Sequence, residues 1–124
     1  MARLQRFQDL FAWQVARKLT RSVYMLTANT DFVSDKGLKS QIQRAAVSTM
    51  RNIAEGYARG TTKQFSHFRD ISRGSAAEVQ SLSYVAKDLN YINAAEFELL
   101  FNLSDETIAI ISGLKNSLHK SRTP

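Results

Sequence analysis

Apolar residues recur along this chain at alternating intervals of three and four, the spacing of one face of an α-helix. The clearest case lies between residues 38 and 57. There Leu38, Ile42, Ala46, Thr49, Met50, Ile53 and Tyr57 gather on one side of a helical wheel, and Gln41, Arg44, Ser48, Arg51, Asn52, Glu55 and Arg59 gather on the other. The first set reads as a core face and the second as a wet face. On the wet face Arg51 and Arg59 each sit one turn from Glu55, a spacing worth roughly 0.2 to 0.5 kcal/mol per pair of opposite charges.

The same reading extends in both directions. A first helix is predicted from about Asp9 to Ala28, with Ala12, Val15, Ala16, Leu19, Val23 and Leu26 facing inward. Asn29 to Val33 reads as a loop and Ser34 as the N-cap of the second helix, which stops near Gly56 to Gly60. Thr61 with Gln64 has the form of a capping box opening a third helix. In that helix Phe65, Phe68, Ser72, Ser75, Val79, Leu82, Ala86 and Leu89 make a bundle seam, and its small middle residues admit a close neighbour. Asn93 and Glu96 are placed to cap a fourth helix, with Phe97, Leu100, Leu103, Thr107, Ile110, Ile111, Leu114 and Leu118 inward. Short connections make this an all-α, up-down-up-down antiparallel four-helix bundle. It forms one domain over residues 1–120, with a frayed tail at 121–124.

Opposite the core face of the first helix runs a second stripe: Leu10, Trp13, Arg17, Arg21 and Tyr24. Aromatics and arginine are enriched at the energetic centres of protein contacts. Unless neighbouring helices cover it, this stripe is the candidate subunit contact of a homo-oligomer.

Composition adds limits. A chain of 124 residues is one ordinary domain, large enough to bury a core without staples. The absence of cysteine excludes disulfides and thiolate metal sites. No apolar run approaches the roughly 18 residues of a membrane span, so the expectation is a soluble cytoplasmic protein without membrane contact.

Charge changes the picture more. The formal net charge is +6, and residues 1 to 60 alone carry ten bases against four acids. An up-down-up-down path gathers Arg3, Arg6, Arg59, Lys63, Lys115, Lys120 and Arg122 at one pole, with His67 and His119 nearby and only Asp9 and Glu55 opposed. The other pole sets Asp31, Asp35, Asp88, Glu96 and Glu98 against Lys36, Lys39 and Lys87. A basic pole suits phosphate, because lysine and arginine displace the counterions condensed on a nucleic-acid backbone. Arg3, Arg6, Arg59, Lys63, Lys120 and Arg122 are therefore the candidate contacts to RNA or DNA, the bland alternative being a solvated basic surface.

Enzyme chemistry finds little footing. His67 and His119 have no zinc-ligand spacing. The glycines form no phosphate-cradling loop, and Gly74-Ser75, with neither a base nor an oxyanion device, is read as helix packing. The Glu-x-x-His pairs of bundle metal sites are missing. No catalytic residue, metal, cofactor or small-molecule substrate is expected.

Residues Gln41 to Gly56, QIQRAAVSTMRNIAEG, resemble the signature QIRRAAVSIPSNIAEG of the 23S rRNA intervening-sequence protein family. These are small bacterial four-helix-bundle proteins, some encoded inside insertions of 23S rRNA genes. Similar positions include Asp9-Leu10, Trp13-Gln14-Val15-Ala16, Val23-Tyr24, Leu26-Thr27, Gly37-Leu38, Phe65, Phe68, Gly74-Ser75, Glu78, Leu89 and Tyr91-Ile92. Two departures are local. Met50 stands where the family often has proline, so the helix should continue unkinked. Asn90 replaces a usual glycine after the third helix, and asparagine is the next-best left-handed cap. The resemblance implies a homopentameric ring, and its rRNA-gene association favours nucleic acid, but it brings no settled activity. The expectation is a non-enzymatic, ring-forming basic protein that binds RNA or DNA through phosphate contacts. The alternative is a protein-binding or scaffolding homo-oligomer.

Overall fold

The computed structural model describes residues 6–122, with side chains through Leu114 apart from that of Thr30. A 3-10 turn at Phe7–Asp9 leads into α1 (Phe11–Thr27), a short α2 (Thr30–Val33), α3 (Lys36–Arg59), α4 (Thr62–Asp88) and α5 (Ala94–Arg122). Around the bundle, α1 packs on α3, α3 on α4, α4 on α5, and α5 back on α1. One core cluster joins Leu10 and Ala12 from the start of α1 to Ile53 late in α3, Phe65 early in α4, and Ile111 and Leu114 late in α5. Successive long helices therefore alternate in direction, as the short connections between them predict. Among the described residues no helix is long and apolar enough to cross a membrane.

The ends of the helices follow local chemistry. Thr61 accepts a hydrogen bond from the Gln64 amide at 3.1 Å. Asn93 and Glu96 cap each other reciprocally, both bonds 2.8 Å long. Asn90 takes φ 61° and ends α4 in a Schellman motif: its N–H reaches Lys87 O and that of Tyr91 reaches Ala86 O, each at 2.9 Å. Through Met50, α3 runs on without interruption.

Several expectations need correction. The segment from Asn29 to Val33 is a helical turn, capped by the Asn29 side chain on the Asp31 amide. It drives Phe32 fully into the core. Asp35, not Ser34, caps α3, because its carboxylate accepts from the Leu38 amide at 3.0 Å. Only Gly60, at φ 85°, stops α3. Gly56 lies buried inside that helix, where a Cβ would come within 2.8 Å of Phe68 Cβ and 3.4 Å of Phe65 Cα. Gly74 plays no such part, since a Cβ there would meet nothing within 4 Å.

The wet face of α3 is also narrower than its pattern implies. Asn52 is 3% exposed and donates to the Ser48 carbonyl and hydroxyl. Ser48 meets Ser75 of α4 hydroxyl to hydroxyl at 2.8 Å, and the Ser72 hydroxyl donates to Thr49 O. Small polar residues thus let α3 and α4 approach closely while their hydroxyls remain satisfied. At the far end of the seam Leu89 remains 49% exposed, because the chain turns away at Asn90.

Candidate nucleic-acid interface

Four of the five residues of the second stripe on the first helix reach the surface. Leu10 does not: it lies just before α1, is 2% exposed and belongs to the core. The 3-10 turn ahead of it folds its side chain inward, and this removes Leu10 from any subunit contact. Trp13 is half-buried, edge-on to Phe7 with ring centroids 5.2 Å apart. The Arg17 guanidinium sits 5.7 Å from the centre of the indole. Arg17 and Arg21 are exposed, and so is Tyr24.

At the predicted basic pole, the described cations are partly engaged within the chain. Arg6 pairs with Asp9 at 3.8 Å. Arg59 pairs with Glu55 at 2.9 Å and also lies 5.0 Å from the Phe68 ring centre. Lys63 is exposed and forms no ion pair among the described residues. Arg3 lies outside the described residues, as do the side chains of Lys120 and Arg122.

The free positive charge is instead concentrated along the side formed by α1 and α3. Arg17, Lys18 and Arg21 follow one another on α1, which carries no acidic residue over its whole length. With Gln14 they line an open groove of about 310 Å³. Beside it, Tyr24 of α1, Val33 after the turn, and Lys36, Lys39, Ser40, Gln43 and Arg44 of α3 line a second groove of about 370 Å³. Lys18, Arg21, Lys36, Lys39 and Arg44 take no part in the ion pairs among the described residues. Lys36 and Lys39 were expected to answer the acids of the opposite pole. Asp35, the acid next to Lys36 in the chain, instead accepts hydrogen bonds from the Leu38 amide at 3.0 Å and the Tyr91 hydroxyl at 3.1 Å.

The helix pairing that makes this side is fixed by polar contacts. The Thr20 hydroxyl sits between Ala16 O and Ala46 O, 2.9 Å from each. Gln43 donates to the Thr27 hydroxyl at 2.9 Å, and that hydroxyl donates to Tyr24 O at 3.2 Å. Sequence reasoning missed Lys36, Lys39 and Arg44 as a group because it sorted charges by pole and not by side. The available signal was the complete lack of Asp and Glu in α1.

One further cation is buried. Arg69 of α4 bonds Asp70 at 2.6 Å and reaches Ser112 O of α5 at 3.5 Å, leaving its Nε without a partner. It joins α4 to α5 and is not among the residues that line the grooves. Among the described residues there is no group of three His, Cys, Asp or Glu side chains able to hold a metal ion.

A crystal structure from Bacteroides thetaiotaomicron, of a protein of unknown function from the S23 ribosomal protein family, has a similar fold. Its TM-score is 0.76 at 18% identity, covering 84% of this chain and 97% of that one. No curated protein matches the chain. The family model for the 23S rRNA-intervening sequence protein matches residues 8–113. With the signature inside α3, the four-helix architecture and a match over most of its length, the chain belongs to the 23S rRNA-intervening sequence protein family.

Proposed function

We propose that this protein is a non-enzymatic nucleic-acid-binding subunit of a homo-oligomeric ring, and that its phosphate contacts run along the α1–α3 side. The observation that carries the reading is the row Arg17, Arg21, Lys36, Lys39 and Arg44, of which no member is in an ion pair within the described chain. An unpaired surface cation is free to exchange its counterions for phosphate, whereas a paired one must first give up its carboxylate. Arg6, Arg59 and Lys63 at the pole extend the positive field and act in support.

Fluorescence anisotropy with labelled RNA and DNA, from about 50 mM salt upward, tests this. Binding should weaken with a log–log salt slope of about −0.9 per duplex phosphate contact, or about −0.7 on single strands. Lys39→Glu with Arg44→Glu should weaken all sequences alike, because backbone contacts carry no base information. It should do so more strongly than Arg59→Glu with Lys63→Glu. No binding by the parent at 50 mM salt and about 10 µM protein would leave the row a solvating surface. The scaffold reading would then take its place, favoured by the exposed apolar side chains Phe11, Met25 and Leu99.

A further inference from the structure

We infer that Tyr24 is a stacking platform for an unpaired base, so that the nucleic acid held on the α1–α3 side is single-stranded. This rests on the nucleic-acid reading above and narrows it to a substrate class. Tyr24 is 46% exposed and lies in a groove bordered by three cations, Lys36, Lys39 and Arg44, with no acid among its lining residues. Arg21 and Arg17 continue the positive row along α1, about one and two helical turns away, within roughly 10 Å.

A duplex needs only the cations. Its bases are stacked on one another, so a flat aromatic ring among phosphate contacts would gain nothing from it. An unpaired base offers its face, and stacking on an aromatic side chain inside a basic groove is how single strands are held without sequence preference. The backbone that carries Tyr24 is tied to α3, because the Thr27 hydroxyl links the Tyr24 carbonyl to Gln43 across the helix pair.

Trp13 and Tyr84 do not offer the same surface, and Phe11, though exposed, lies in a groove beside Asp9 with no cation among its described lining residues. Trp13 is half-buried and already flanked by Phe7 and Arg17. Tyr84 packs edge-on to Phe97 and Phe101, with centroids 4.8 and 6.2 Å away. Lys87 beside them is committed to the Phe97 ring at 4.5 Å.

The experiment compares a labelled 12-nucleotide oligouridylate with a mixed-sequence duplex of equal length by anisotropy, using the full chain, Tyr24→Ala and Tyr24→Phe. Tyr24→Ala should weaken the single strand by roughly 5- to 150-fold while changing duplex binding by less than about twofold. Tyr24→Phe, which keeps the ring, should retain affinity for the single strand. The salt slope should be the same in all three proteins, since stacking releases no counterions. Equal losses on both ligands, or no loss on either, would overturn the platform and leave the phosphate reading standing. Absence of binding by the parent would overturn both. Light scattering on the same samples closes the remaining route: a Tyr24→Ala protein that loses its assembly would assign the ring to a subunit contact and overturn the inference.

Discussion

Gly56 of α3 and Phe68 of α4 are in contact at a place where α3 has no room for a side chain, since a Cβ on Gly56 would stand 2.8 Å from Phe68 Cβ. The nearby Phe65 Cα, at 3.4 Å, belongs to backbone that cannot swing aside. Gly56→Ala should therefore destabilise the protein by about 1 to 3 kcal/mol as an overpacking change, despite alanine's better helix propensity. Gly74→Ala, facing open space in α4, should instead stabilise by about 0.5 to 1 kcal/mol. Urea melts of the two variants against the parent check the opposite signs.

That contrast also marks how far the sequence could be read. Period alone places Ile42, Ile53, Val79 and Leu100 inside, and all four are buried. It cannot tell a glycine that ends a helix from one that lets two helices touch, because the difference lies in the neighbour. For that reason the pattern reads Gly56 as a helix stop and Gly74 as a packing glycine, whereas Gly56 is the packing glycine and Gly74 faces open space within α4. Phe32 escaped because four residues are too few to display a helical period, and its burial depends on the Asn29 cap. Leu10 escaped because a 3-10 turn precedes it and breaks the phase of α1. In the candidate interface Arg17, Arg21 and Tyr24 were visible as a stripe. Their partners Lys36, Lys39 and Arg44 required the pairing of α1 with α3 to be known.

The core face of α3 predicts a second pair of outcomes. Ile53 is fully buried among Leu10, Phe65 and Ile111, so Ile53→Ala should cost about 2 to 5 kcal/mol. Arg44 is exposed and in no ion pair among the described residues, and Arg44→Ala should cost under about 0.5 kcal/mol. Denaturant midpoints separate the two. Equal losses would place Arg44 in a contact that a single subunit does not contain.

The Tyr91 hydroxyl predicts a pH dependence. Its hydrogen bond to Asp35, then burial, then the negative charges of Asp35 and Asp31 raise the phenol above its ordinary value of 10.0. The protonated phenol donates that bond. Its stabilising contribution is thus complete below the unfolded pKa and is lost as pH rises through the higher folded one. The melting temperature of the parent relative to Tyr91→Phe should hold steady from about pH 7 to 9 and decline beyond the ordinary tyrosine pKa. Asp35→Asn should bring the phenol's absorbance titration back toward that ordinary value. A parent phenol titrating at or below it would disprove the linkage.

Assembly gives the last prediction. With Leu10 in the core, the second stripe of α1 keeps two rings, one already half-covered, and two exposed arginines. A homomeric contact built there would bring unpaired like charges together. The seam between α1 and α5 is better suited to cover by a second copy. Phe11 is 61% and Met25 67% exposed, two heptads apart on one face of α1. Lys18 lies between them, in a groove shared with Leu99 and Glu106 of α5. Covering such side chains gains about 25 cal/mol per Å² of apolar surface, and Lys18 and Glu106 supply both signs of charge. Light scattering on a sizing column should give a mass several times the 14.0 kDa chain, five times for the ring that the family resemblance implies. Phe11→Glu with Met25→Glu should reduce it to a single chain, while Trp13→Ala leaves the assembly intact. A parent that elutes as one chain would end the ring proposal, and an assembly lost with Trp13→Ala but kept with the glutamates would return the contact to the α1–α3 side.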